Sequence, residues 1–217
     1  VLTLDMPLIK KGDIFELVRR MRAESIDCVG LGKNNPIAKI CIGKSANKGV
    51  FSSDKAFFKI DDAKSYNVVY NLLKDAILDD YLSRGVRILD KNTTFIDDTV
   101  NIESGVVILP YTRIEGESVL MNGAKVAGSY IKDSVIDGAS VEYSYLACSH
   151  VHARATVGPF ARLRGATIGK NCRVGDFVEV KASLLRDGVK ASHLTYIGDA
   201  DVGERTNVGC GSVFCNY

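Results

Sequence analysis

From Ile96 to Phe214 an apolar residue returns at every fifth or sixth position. Ile96, Ile102, Ile108, Ile114, Leu120 and Val126 stand six apart. Ile131, Ile136, Val141, Leu146 and Val151 follow at five, and the run from Val157 to Phe214 alternates between the two spacings. A helix needs apolar residues three and four apart, and a half-buried strand needs every second one, so neither period fits. A six-residue return means one short strand and one corner per repeat, stacked into a β-solenoid. With three sides per turn the ladder makes about seven coils. Gly follows the aliphatic residue at Val157-Gly158, Ile168-Gly169, Val174-Gly175, Ile197-Gly198, Val202-Gly203 and Val208-Gly209. That pattern predicts corners at glycines free to take an unusual backbone angle.

The chain before the ladder is patterned differently. Residues 1–9 read as a strand running into the turn Asp5-Met6-Pro7, and 11–24 as an amphipathic helix with Asp13 as its N-cap. Short strand-like runs fill 27–60. Residues 64–86 form a second helix, with a stripe of Val69, Leu72, Leu73, Ile77 and Leu82, an Asn67 cap near its start, and Gly85 at its end. The expected organisation is part of an α/β domain over 1–63, a connecting helix and linker over 64–94, and the solenoid over 95–217.

The balance of 28 basic against 26 acidic residues leaves a net charge of +2. That gives no electrostatic reason to expect nucleic acid or an anionic membrane as the partner. No apolar run approaches the roughly 18 residues of a membrane helix. The six cysteines, with no CxxC pair, read as reduced packing residues of a cytoplasmic protein. His150 and His152 share one strand face, two ligands where a zinc site needs three or four.

Between the apolar returns of 157–217 sit Arg164, Glu179, Lys181, His193, Tyr196, Asn207 and Asn216. These are residue types that bind phosphate, take a proton and hold polar substrate groups. Their contexts are Val-Gly-Pro-Phe-Ala-Arg-Leu-Arg, Gly-Asp-Phe-Val-Glu-Val-Lys, His-Leu-Thr-Tyr-Ile-Gly-Asp-Ala, Asn-Val-Gly-Cys-Gly and Cys-Asn-Tyr. Together they resemble the acetyltransferase domain of the bacterial bifunctional N-acetylglucosamine-1-phosphate uridylyltransferase/glucosamine-1-phosphate N-acetyltransferase family. The resemblance is strong over 157–217, recognisable from about residue 64, and patchy before it. It implies a Rossmann-like nucleotidyltransferase domain, a connecting helix and a left-handed parallel β-helix that forms homotrimers with sites between subunits.

The resemblance also implies roles. His193 matches the general base, and Arg164, Lys181, Tyr196 and Asn207 match sugar-phosphate ligands. Cys210, Asn216 and Tyr217 match positions beside acetyl-CoA. Asp5 and Asn67 look like the ligands of the Mg2+ used in uridylyl transfer from UTP, and Asn47 like a sugar-nucleotide contact. The family's Gly-rich nucleotide-binding loop has no match, Leu4 replaces a family Gly, and the family continues for several coils past Tyr217. The resemblance therefore implies an incomplete chain whose acetyltransferase half lacks part of its coenzyme groove.

The residues themselves fit that chemistry. Transfer from a thioester needs a neutral amine and a base working near pH 7, and histidine, with an ordinary pKa of about 6.5, supplies one. Glu179 is the candidate to orient the imidazole. Arg164 offers a planar fork to phosphate and Lys181 a point charge. A backbone N–H near Gly209-Cys210-Gly211 is placed to serve an oxyanion. The alternatives are another hexapeptide-repeat acyltransferase, a γ-type carbonic anhydrase needing three zinc histidines, and a non-catalytic regulatory subunit of the same build.

Overall fold

The computed structural model describes residues 28–31, 38–41, 48–51 and 63–216. It divides into two units, Val1–Leu73 and Lys74–Tyr217. In the first, β1 (Cys28–Leu31) pairs antiparallel with β2 (Ala38–Cys41) and parallel with β3 (Lys48–Phe51). Three strands of four residues are what the strand-like runs predicted. The described residues do not show the Rossmann-like domain expected over this stretch, and the helix expected at 11–24 lies outside them.

The helix α1 spans Ala63–Ser83. Asn67 therefore stands a full turn inside it and is not the cap that the sequence suggested. Its side-chain oxygen accepts from the amide of Asn71 at 2.6 Å. The helix closes at Gly85, whose N–H bonds the carbonyl of Leu82 while Val86 N–H reaches Tyr81, each at 3.1 Å. This pair of bonds satisfies carbonyls that a helix end leaves open. Within the second unit, Leu78 and Tyr81 join Val86, Val100 and Ile102 in the core, and the Tyr81 hydroxyl donates to the carbonyl of Val100.

From Arg87 onward the chain is a parallel β-solenoid. Its 22 strands, β4 (Arg87–Ile88) to β25 (Asn207–Val208), are two to four residues long. Successive strands pass to successive faces, giving three parallel sheets of eight, seven and seven strands. The first strand lies a few residues before the ladder that begins at Ile96. The ladder residues all point inward. Twenty of them, Ile96 to Val202, are buried, and only Val208 and Phe214, at the last coil, are partly so.

The corners differ from expectation. Of the six glycines that follow an aliphatic residue, only Gly158 has a positive φ. The left-handed angle is taken instead by eight other glycines from Gly105 to Gly211 and by twelve residues that carry side chains, among them Tyr143, Phe160, Phe177 and Leu194 at one corner of successive coils. Left-handed backbone in a residue bearing a Cβ costs roughly 1–2 kcal/mol. Three of these corners are held by a backbone bond to the coil before: Tyr143 N–H to Ala127 O at 2.8 Å, Phe160 N–H to Tyr143 O at 2.9 Å and Leu194 N–H to Asp176 O at 2.9 Å.

Leu146 is fully buried between Ile131 and Leu163 of the adjoining coils. Leu146→Ala should cost about 2–5 kcal/mol, the usual toll of truncating a core leucine. Leu82→Ala, on the exposed side of α1, should stay within about 0.5 kcal/mol. Urea denaturation followed by circular dichroism measures both, and equal effects would contradict the inward placement of the ladder.

Candidate functional site

Three neighbouring strands of one sheet carry most of the polar set: β17 (Arg162–Arg164), β20 (Glu179–Lys181) and β23 (Tyr196–Gly198). Their middle residues, Leu163, Val180 and Ile197, are fully buried, so strand alternation turns the flanking residues outward. Two outward rows result in register. One runs Arg162, Glu179, Tyr196, and the other Arg164, Lys181, Gly198.

The charges pair between coils. Arg164 reaches diagonally to Glu179, its Nε 2.9 Å and an amino nitrogen 2.5 Å from one carboxylate oxygen. Arg162 approaches the same oxygen at 3.7 Å. Lys181 Nζ lies 3.2 Å from Oδ2 of Asp199, and the Asn216 amide donates to that oxygen too. The Tyr196 hydroxyl donates to Oδ1 of Asn216 at 3.0 Å. Gly198 makes room for this linkage. A Cβ there would sit 2.5 Å from the Tyr196 hydroxyl and 2.6 Å from the Asn216 amide. Asp199 accepts from Asn216 and then from Lys181, and these two bonds hold its carboxyl below the ordinary aspartate value.

His193 ends β22 (Lys190–His193), on the neighbouring sheet, and the left-handed Leu194 turns the chain from there into β23. His193 and Tyr196 thus flank a single corner. The carboxylate beside the imidazole is Asp176, the register partner of His193 on β19 (Arg173–Asp176), with Oδ2 3.5 Å from Nδ1. This corrects the expectation for Glu179, which its place in the Arg162 row commits to the arginines. Asp176 and Asp199 were missed in the sequence. Counting coils would have found both, since each stands about one coil from a predicted residue.

The remaining predicted residues are not gathered in. Asn207 opens β25 opposite Lys190, at the end of its strand away from the corner, and is exposed. Cys210 is an exposed free thiol on the next coil, and the N–H of its neighbour Gly211 bonds the Leu194 carbonyl at 3.0 Å. Asp5, Asn47 and Tyr217 lie outside the described residues, and Asn67 is on the exposed side of α1. The rings of His150 and His152 lie 3.9 Å apart, tilted by 31°, on the sheet that carries neither His193 nor the arginine rows. Among the described residues no group of three or more His, Cys, Asp or Glu is placed to hold a metal ion, and no helix is long and apolar enough to cross a membrane.

No family model matches the chain. Individual proteins do. The bifunctional protein GlmU of Rippkaea orientalis is 38% identical over 161 residues, 73% of this chain and 36% of that protein. GlmU of Clostridium novyi is 43% identical over 149 residues, 67% of this chain and 33% of that protein. The chain is a relative of the GlmU proteins. GlmU of Acaryochloris marina agrees, 39% identical over 162 residues, 73% of this chain and 35% of its own length. The chain thus spans about a third of the length of the GlmU proteins it matches, and the resemblance read from its motifs is borne out over that part. Among solved structures, the acetyltransferase domain of PglB from Neisseria gonorrhoeae, in complex with acetyl coenzyme A, is 17% identical. The match covers 70% of this chain and 65% of that one, with a TM-score of 0.34.

The Asp199 cluster has a measurable consequence. A carboxyl whose value is depressed on folding adds stability that is fully present above the ordinary value near 3.8 and is lost as pH falls through the depressed one. A carbon-13 NMR titration should place Asp199 below that ordinary value. Asn216→Ala should move it back up further than Lys181→Met does, because the amide bond has the larger effect. An unmoved midpoint in Asn216→Ala would contradict the cluster.

Proposed function

We propose that this chain transfers the acetyl group of acetyl-CoA to the amine of glucosamine-1-phosphate. The observation that carries the reading is the register of Arg164 with Lys181 on adjoining strands, one corner away from His193. Two cations one coil apart suit a dianionic phosphate, and a histidine at the neighbouring corner suits an amine that must lose a proton.

In this reading the sugar phosphate takes Arg164 and Lys181 from Glu179 and Asp199. The carboxylates keep the two cations paired while the site is empty, and once phosphate binds Glu179 keeps Arg162 and Asp199 keeps the Asn216 amide. The amine nitrogen attacks the thioester carbonyl, and the C–N bond forms as the C–S bond breaks. His193 receives the amine's proton and returns it to the departing thiolate. Tyr196 and Asn207 serve as further sugar-phosphate contacts, with Cys210, Asn216 and Tyr217 beside the coenzyme.

The wider activity belongs to the whole protein. The family resemblance supports a cytoplasmic bifunctional enzyme of UDP-N-acetylglucosamine synthesis that assembles as a homotrimer. There Asp5 and Asn67 would hold Mg2+ and Asn47 the sugar nucleotide during uridylyl transfer from UTP.

Acetyl-CoA-dependent acetylation of glucosamine-1-phosphate by the full-length protein tests the first half. His193→Ala should lower kcat by about 10²–10⁴-fold, the usual worth of a positioned general base. Arg164→Ala should act mainly by raising KM for the sugar phosphate, as loss of uniform binding does. Undiminished turnover in His193→Ala would sink the base assignment.

A further inference from the structure

The mechanism above uses one imidazole nitrogen of His193. The geometry points to Asp176 as the residue that decides which one. β19 and β22 pair in register through Arg173 with Lys190, Val174 with Ala191 and Asp176 with His193. The inward pair, Val174 and Ala191, is fully buried, so neither strand can slide without turning a core residue outward. Gly175 lets the strands close up, since a Cβ there would lie 2.2 Å from the carbonyl oxygen of Ser192. The corner beyond is fixed by the bond from Leu194 N–H to the Asp176 carbonyl at 2.9 Å. The main chain of Asp176 thus holds the corner, while its carboxylate stands 3.5 Å from Nδ1 of His193.

That distance is within ion-pair range and a few tenths of an ångström beyond a direct N–H···O bond. Such contacts tighten when the ligand is bound or the ring is charged. A carboxylate can only accept, so its neighbour Nδ1 must carry the hydrogen. Nε2 is then the unprotonated nitrogen, free to take the amine's proton. We propose that Asp176 is a positioning residue for the reaction. It holds His193 in the Nδ1–H form and shares the charge of the imidazolium that forms during transfer. The proposal rests on the reading of His193 as the proton acceptor.

The test uses the full chain labelled with nitrogen-15 histidine. There are three histidines, and the signals lost in His193→Ala identify the ring of interest. Wild type should show His193 as the Nδ1–H tautomer. Asp176→Ala removes the acceptor, so the ring nitrogen shifts should move to those of a tautomer mixture. Asp176→Asn keeps a carbonyl oxygen able to accept from Nδ1–H and should restore most of the wild-type pattern. In acetyl-transfer assays Asp176→Ala should lower kcat by about 10–100-fold, the usual loss when a supporting partner is removed, with both KM values little changed. Asp176→Asn should recover most of that loss. The side chain is 45% exposed, so neither variant removes core packing, and thermal melts confirm that both are folded. Unchanged His193 shifts in Asp176→Ala would overturn the proposal. A shifted tautomer with undiminished kcat would instead overturn the assignment of His193 as the base.

Discussion

Everything in the solenoid depends on one constraint: each strand must find its main-chain partners on the coil before and the coil after. Strands of two to four residues hold too few bonds to be stable alone, so the ladder across coils is the structure. Closing a coil on three such strands demands three sharp corners, and from Gly105 onward a left-handed residue supplies the bend at each of them. Twelve of these carry side chains, at roughly 1–2 kcal/mol each. Burying a Val, Leu or Ile in nearly every strand contributes about 1.5–3 kcal/mol each, which offsets the corners.

Corners also leave buried N–H groups beyond the reach of the ladder, and these are met by serines. The hydroxyl of Ser134 accepts from Ser149 N–H and that of Ser149 from Ala166 N–H, at 3.0 and 3.1 Å. A parallel column runs through Ser129 and Ser144 to Ala161 N–H. Each of these hydroxyls in turn donates to the carbonyl two residues before it. A buried hydroxyl in this setting is satisfied on both sides, which is what allows a polar residue to stand in the wall of an aliphatic core.

The aliphatic ladder was legible because its period matches no other regular structure, and every ladder residue through Val202 proved buried. The corners were not legible. A Gly after an aliphatic residue suggests a special backbone angle, yet at Gly175 the main chain of the next coil, and at Gly198 the Tyr196 hydroxyl and the Asn216 amide, come too close for a Cβ. Tyr143, Phe160 and Phe177 carry the angle instead, and nothing in their own chemistry announces it. In the candidate site, residue types singled out Arg164, Lys181, His193 and Tyr196, but their partners depend on register. Glu179 is near His193 in the sequence and lies beyond the corner from it in space. Asp176 is farther away in the sequence and directly opposite.

Register is also what makes this scaffold suitable for a site. Strands in one sheet repeat every 4.7–4.9 Å or so, and alternation fixes which side chains face out. A functional group is therefore placed by two integers, its coil and its position along the strand. Arg164 and Lys181 differ by one coil at the same position, and so do Glu179 and Tyr196. Shifting one strand by a single residue would exchange Val180 for Glu179 or Lys181 in the core, an unpaired buried charge that the fold does not tolerate. The burial that holds the coils together thus also fixes the spacing of the charges. A site built this way needs no pocket within one coil, because its parts are distributed across several and held at a common pitch by the ladder itself.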